Sequence, residues 1–492
     1  MTSAPPRRNL SALVVGAGFG GIAAAVELRK RGVDLVVLEK ADRVGGVWRD
    51  NTYPGAACDV PSSLYSYSFA PHARWPRRYA EQPDILEYIE SVVAEHHLGS
   101  AIVTGTEVVD ATWDEATSRW TVRTSQGGSP GPTYDVDVVV TAVGQLSRPS
   151  VPDLPGIGSF TGPAFHSAEW DHGVGLRGKR VAVVGTGASA IQFVPHLQQE
   201  AAQVTVFQRS APYVVPKPDR AYTRLHHRAF TRSPRTQGFG RELTRNLSEM
   251  LNMALAEQTA FTKAFLAAFH VHLRHQVRDP ALRAKLAPDY PIGCKRLLFS
   301  NDWYPAITRP NVSVMTEAVA GVTPHGLTTA DGTEHPADVI VYGTGFKATE
   351  FLVPMTVTGR DGRDLHQQWS DGARAFLGVT VPGFPNFFVM YGPNTNLGGS
   401  SILQMLEGQA GYVGQAVDLM VGGRLGKVEV RPDAAEHYDH EMQERLGDSV
   451  WAGDCHSWYR TSEGRITTNW PGLVKEYRER TATFEPADYQ SA

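Results

Sequence analysis

The sequence predicts an α/β fold of two doubly wound units with a helical insertion, and one repeated pattern predicts it. Ser11–Glu39 and Lys179–Arg209 each read as a β-branched strand, a glycine-rich turn, a helix and a second strand. Continuous apolar strands alternating with helices form parallel sheets covered on both faces.

The segments between and after the repeats take their places in order. Runs such as VVDATWDEATSRWTVRT within Thr104–Val143 alternate apolar and polar residues, which predicts an antiparallel β insertion. It closes on VDVVVTAVG, a buried strand and small-residue turn. Arg148–Gly158 is rich in Pro and Gly and reads as a linker. From Thr223 to Leu286 the Leu, Phe, Ala and Met spacing is helical, and its apolar stripe is expected to be core packing. Ala337–Phe346 reads as another central strand and turn, Pro385–Asn394 as a strand and Ser400–Leu419 as a helix. These three are expected to return the chain to the first unit. The expected domains are therefore 1–150 with 335–492, and 151–334 with the helical insertion at about 220–290.

Bulk properties narrow the function. The 492 residues carry a net charge of -4, which argues against a nucleic-acid partner. No run approaches the roughly 18 apolar residues of a membrane span. The apolar stretch near the N-terminus belongs to the first strand and does not read as a signal peptide. Cys58, Cys294 and Cys455 form no CxxC-type pair, so a disulfide framework or a metal site is not expected, and a reduced, cytoplasmic setting fits. Nothing calls for an obligate protein partner.

The two glycine-rich turns carry the first functional signal. Gly16, Gly18 and Gly21 form GxGxxG after LVV and before a helical run. The first glycine permits the tight turn, the second lets backbone approach a pyrophosphate, and the third lets helix pack on strand. The helix N-terminus then offers N–H groups to the phosphates. Glu39 ends the next strand, 23 residues after Gly16, where a carboxylate binds ribose hydroxyls and repels a 2′-phosphate. FAD or NAD fits that site. A second glycine turn, Val44-Gly45-Gly46-Val47-Trp48, favours FAD, with Gly46 and Trp48 beside it.

The second turn differs at the ribose. Gly185, Gly187 and Ala190 form GxGxxA, with Ser189 in the turn, and the following strand runs into Arg209 and Ser210. A guanidinium fork and a hydroxyl suit a 2′-phosphate, which selects NADPH. Two dinucleotides of opposite ribose polarity on one chain imply hydride transfer from NADPH to flavin. No cysteine pair is present to receive the electrons, which leaves O2. A flavin peroxide would then need protection from water.

Here the sequence resembles the type I Baeyer–Villiger monooxygenases. Phe160–Asp171 fits the family's FxGxxxHxxxW followed by Pro or Asp, and Gly46–Asp59 fits its GxWxxxxYPGxxxD. GCKR at Gly293–Arg296, YGPNTNLG at Tyr391–Gly398 and NWPG at Asn469–Gly472 extend the likeness to nearly the whole chain. The resemblance implies a ketone substrate, O2 and an ester or lactone product formed through a flavin peroxide. It implies that Arg296 approaches the flavin, that Asp59 is its carboxylate partner, and that Lys295 joins Arg209 and Ser210 at the 2′-phosphate. His166 would have a conformational and catalytic support role in the inter-domain linker. An N- or S-oxygenating flavin monooxygenase shares both turns and remains an alternative, against which Trp170-Asp171 speaks. A catalytically silent dinucleotide sensor is a second. Structural ion pairing of Arg296 with Asp59, and plain packing for Trp48, Trp170 and Cys58, are the bland readings of those residues.

Overall fold

A computed structural model describes residues 9–256, 260–453, 459–461 and 463–490. Each glycine turn opens from its own five-stranded sheet. The first sheet has the order Phe387–Val389, Val138–Thr141, Ser11–Val15, Asp34–Leu38, Ile102–Val103, parallel throughout. The second runs Val312–Met315, Gln203–Phe207, Arg180–Val184, Val339–Tyr342, Ala164–His166, also parallel. Ala12, Leu13 and Val14 are fully buried, as are Val138, Val139 and Val140. Each such Val or Leu side chain contributes about 1.5–3 kcal/mol of burial, and this fixes the sheet between its helices. The helix Phe19–Lys30 leads from the first turn and packs with Ile402–Val421 in one core.

The alternating segment forms the antiparallel strands Glu107–Asp114, Arg119–Gln126 and Ser129–Val136, with Thr356–Thr358 at their edge. The strand and helix expected at Pro385–Asn394 and Ser400–Leu419 form as Phe387–Val389 and Ile402–Val421.

Three expectations need correction. Val339–Tyr342 does not return the chain to the first sheet; it pairs with Arg180–Val184 and Ala164–His166 in the second. An apolar parallel strand fits the middle of either sheet, so its composition names no partner. The second unit therefore runs past 335, and the chain crosses back at 344–347. The helical insertion is present as Arg224–Arg232, Pro234–Ala256, Ala260–Gln276 and Pro280–Lys285. Its stripe is core packing only in part: Phe269, Leu273 and Val277 are buried, while Phe239, Leu243, Leu247 and Met250 are exposed. Finally, Cys294 is disulfide-bonded and Cys58 is a free, buried thiol. The lack of a CxxC spacing excludes only local pairs. Cys455 lies outside the described residues.

Among the described residues, backbone hydrogen bonds form two seams at the boundary between the units. The crossings at 148–150 and 344–347 pair with each other: Ser150 N–H donates to Gly345 O at 2.8 Å and Lys347 N–H to Arg148 O at 3.0 Å. Residues 76–81 run antiparallel to 217–222, through Arg78 N–H to Arg220 O at 2.9 Å, Tyr222 N–H to Pro76 O at 2.8 Å and an Arg77–Asp219 ion pair at 2.6 Å.

Candidate active site

The two glycine turns have matching geometry. Gly16 has φ +99°, and a Cβ there would lie 2.7 Å from Ala142 O. Gly185 has φ +105°, and a Cβ would lie 2.4 Å from Gly343 O. In each case the carbonyl across the sheet forbids any side chain. A Cβ on Gly21 would fall 1.8 Å from Gly16 O, so only glycine lets the helix sit this close. The middle glycines are open. The nearest atoms to a Cβ are 3.5 Å away at Gly18 (Gly46 Cα) and 4.0 Å away at Gly187 (Gly343 O). The backbone at both middle glycines is therefore open to close approach, and Gly46, at φ +54°, faces Gly18.

Glu39 is buried. Its Oε2 accepts from Ala17 N–H at 2.8 Å, and its Oε1 accepts from Ala41 N–H at 3.0 Å and Arg49 at 2.9 Å. Sequence reasoning missed Arg49, whose guanidinium also bonds both oxygens of Asp50 and the Arg43 carbonyl. A polar cavity of about 940 Å³ opens beside this group, lined by Lys40, Asp42, Arg43, Arg49 and, across it, Trp170 and Phe346. Trp48 donates its indole N–H to Tyr65 OH at 3.0 Å, edge-on to that ring.

At the second turn, Arg209 is exposed after the strand Gln203–Phe207. Lys295 Nζ donates to Ser210 Oγ at 2.7 Å and lies over the Tyr290 ring. Burial, and then the Arg209 charge, hold the Lys295 pKa below its ordinary value. Two cations and a hydroxyl thus converge, which suits a phosphate dianion. Ser189 starts the helix Ala190–Glu200 without capping it, and lies near the Tyr53 hydroxyl. That hydroxyl donates to Gln192 Oε1 at 3.0 Å.

The GCKR loop sets Lys295 beside Ser210 and its neighbour Arg296 in the neighbourhood of Asp59. Burial raises the Asp59 pKa, opposed by Lys217 and then Arg296. Burial acts to lower the Arg296 pKa, but Asp59, Tyr459, Cys58 and Tyr391 outweigh it and raise it. The sequence-predicted pair is thus brought into one neighbourhood, yet no direct ion pair joins Arg296 to Asp59 among the described residues. Asp59's nearest cation is Lys217, with Nζ 3.8 Å from Oδ1. Lys217 was invisible in the sequence because it lies in no signature. Burial pushes the Cys58 thiol up to about 12, so it stays protonated and packs.

His166 ends the edge strand of the second sheet and is 1% exposed. Its Nδ1 accepts from Ala168 N–H at 3.1 Å, which leaves the other ring nitrogen to carry the proton near the Gly345 backbone. Trp170 packs against Phe165 and Phe193. It therefore has a packing role within the second unit as well as a place on the cavity wall.

Fold and site together define a flavoprotein oxidoreductase with two dinucleotide sites. Residues 13–226 match the family described as Pyridine nucleotide-disulphide oxidoreductase. A Baeyer–Villiger monooxygenase of Streptomyces coelicolor is 45% identical over 97% of this chain and 92% of its own length. One from Pseudomonas aeruginosa is 42% identical over 98% and 91%. The crystal structure of OTEMO complexed with FAD and NADP superposes with a TM-score of 0.88 at 25% identity, covering 99% of this chain and 100% of that one. The chain belongs to the Baeyer–Villiger monooxygenases, and its cofactors are FAD and NADPH. The N- or S-oxygenating alternative is not favoured by these relatives. No described helix is long and apolar enough to cross a membrane.

Proposed function

We propose that this enzyme uses NADPH and O2 to insert one oxygen atom beside a ketone carbonyl, giving an ester or lactone and water. One observation carries this reading: the adjacent residues Lys295 and Arg296 enter two different charged neighbourhoods. Lys295 joins Ser210 and Arg209 on the NADPH side, and Arg296 stands beside buried Asp59 on the flavin side.

FAD, reduced by NADPH, supplies the oxidant from O2. The chain's residues bind, orient and stabilise. Gly16, Gly18, Gly21, Glu39, Gly46 and Trp48 hold FAD. Gly185, Gly187, Ser189, Arg209, Ser210 and Lys295 hold NADPH. Arg296 offers a fixed positive charge to negative charge that develops on oxygen, and Asp59 orients and tempers it. His166, at the end of the strand Ala164–His166, has a support role beside the inter-domain crossing. The domains are 1–150 with the chain after about 347 for FAD, and the intervening segment for NADPH. Demand for NADPH supports a cytoplasmic location.

A panel of cyclic, linear and aryl ketones, scored by product mass, tests the reading. A mass gain of one oxygen with ester hydrolysis behaviour is expected. Arg296→Ala is expected to keep bound FAD and lose ester formation by about 100-fold or more. Oxygenation of amines with no ketone converted would refute the assignment.

A further inference from the structure

Asp59 is flanked by a cation that no signature contains. Lys217 Nζ lies 3.8 Å from Asp59 Oδ1, and the two side chains are only 13% and 9% exposed. Lys217 is fixed in place. Its N–H donates to Asn301 Oδ1 at 3.0 Å, and its carbonyl accepts from Asn301 Nδ2 at 2.9 Å. Its ammonium lies 5.1 Å from the centre of the Tyr79 ring, and prolines flank it on both sides. Lys217 also opens the strand-like seam in which 217–222 run against 76–81. The second unit therefore delivers this charge into the first unit's aspartate.

A buried carboxylate needs a cation. Were Arg296 the sole partner, its charge would be committed to Asp59. We propose that Lys217 is a positioning residue of the oxygenation site: it pairs with Asp59, so that the Arg296 guanidinium, charged in either case, is left free to face the reacting centre. This rests on the role given above to Arg296. With Lys217 removed, Arg296 is drawn onto Asp59 and away from the flavin side.

The test is a cycle of Lys217→Met, Lys217→Arg, Asp59→Asn and the Lys217→Met/Asp59→Asn double variant. Lys217→Met is expected to slow ester formation about 10-fold and to release more hydrogen peroxide per NADPH consumed, and Lys217→Arg to recover most of the loss. In the Asp59→Asn background, adding Lys217→Met should change the rate by less than about 2-fold. Thermal unfolding of the holoenzyme gives a second readout. Lys217→Met should lower its unfolding midpoint by about 3 °C, and adding Asp59→Asn should restore it, because the unpaired buried anion is gone. Lys217→Met without effect, independent losses that multiply in the double variant, or a midpoint that Asp59→Asn fails to restore would overturn the proposal. If wild type converts no ketone, the function reading fails, while the unfolding cycle still reports on the Lys217–Asp59 pair.

Discussion

His166 shows how one side chain couples the fold to pH. Burial lowers its pKa from the ordinary 6.5, so the native ring is neutral where an unfolded one would be protonated. Below pH about 6.5 the unfolded chain binds a proton that the native chain refuses. The stability that neutral His166 contributes is therefore fully present above that pH and is lost as pH falls. The unfolding midpoint of wild type should drop more steeply below pH about 6.5 than that of His166→Gln; identical slopes would remove His166 from the acid response. At this scale the sequence was informative where spacing defines position. Gly16, Gly18, Glu39, Gly185 and Arg209 follow from the βαβ pattern alone. Lys295, Arg296, Asp59 and His166 needed the family signatures. Arg49 and Lys217 could be found only in three dimensions, since each acts across a loop closure or a seam.

The element proposed to decide cofactor choice is the strand end at Arg209 with the loop bearing Lys295. Two like charges held near each other, one already pushed toward losing its proton by burial and by Arg209, are relieved by a dianion between them. Arg209→Ala should raise the KM for NADPH about 10-fold or more, reflecting the roughly 1.5–3 kcal/mol of a charged hydrogen bond, and shrink the preference over NADH. Steady-state kinetics with both nucleotides check this, and an unchanged preference sinks it. Elements were legible in kind, because apolar runs, alternation and helical spacing each leave their own period. Which sheet a buried strand joins was not legible. Val339–Tyr342 carries VIVY, a run equally suited to either sheet, and only the pairing partner decides. The exposed face of Pro234–Ala256 was misread for a related reason: helical spacing reports an apolar face and does not say what covers it.

Across the whole molecule, the YPG turn is a contact between units. Gly55 has φ +78°, and a Cβ there would lie 2.5 Å from His196 Nε2 and 2.9 Å from Gln192 O on the helix that follows the second glycine turn. Gly32, at φ +72°, has nothing within 4 Å. Gly32→Ala therefore reports backbone strain alone, about 1 kcal/mol, and Gly55→Ala should cost about 1–3 kcal/mol more. Denaturant midpoints of the two variants measure the difference; equal losses would mean that the units do not press on each other here.

The paired passages at 148–150 and 344–347 have a mechanical meaning. They are two straps stitched edge to edge, as on a door. Folding across the stitching turns only a few backbone dihedrals, whereas sliding one strap along the other breaks the bonds between them. Any swing about these straps must first part the seam between 76–81 and 217–222 and the contact of Gly55 with the helix Ala190–Glu200. Because the chain of the second unit enters and leaves at the same spot, that unit is also a detachable cassette: a short bridge from 150 to 344 would span the gap without deforming either sheet.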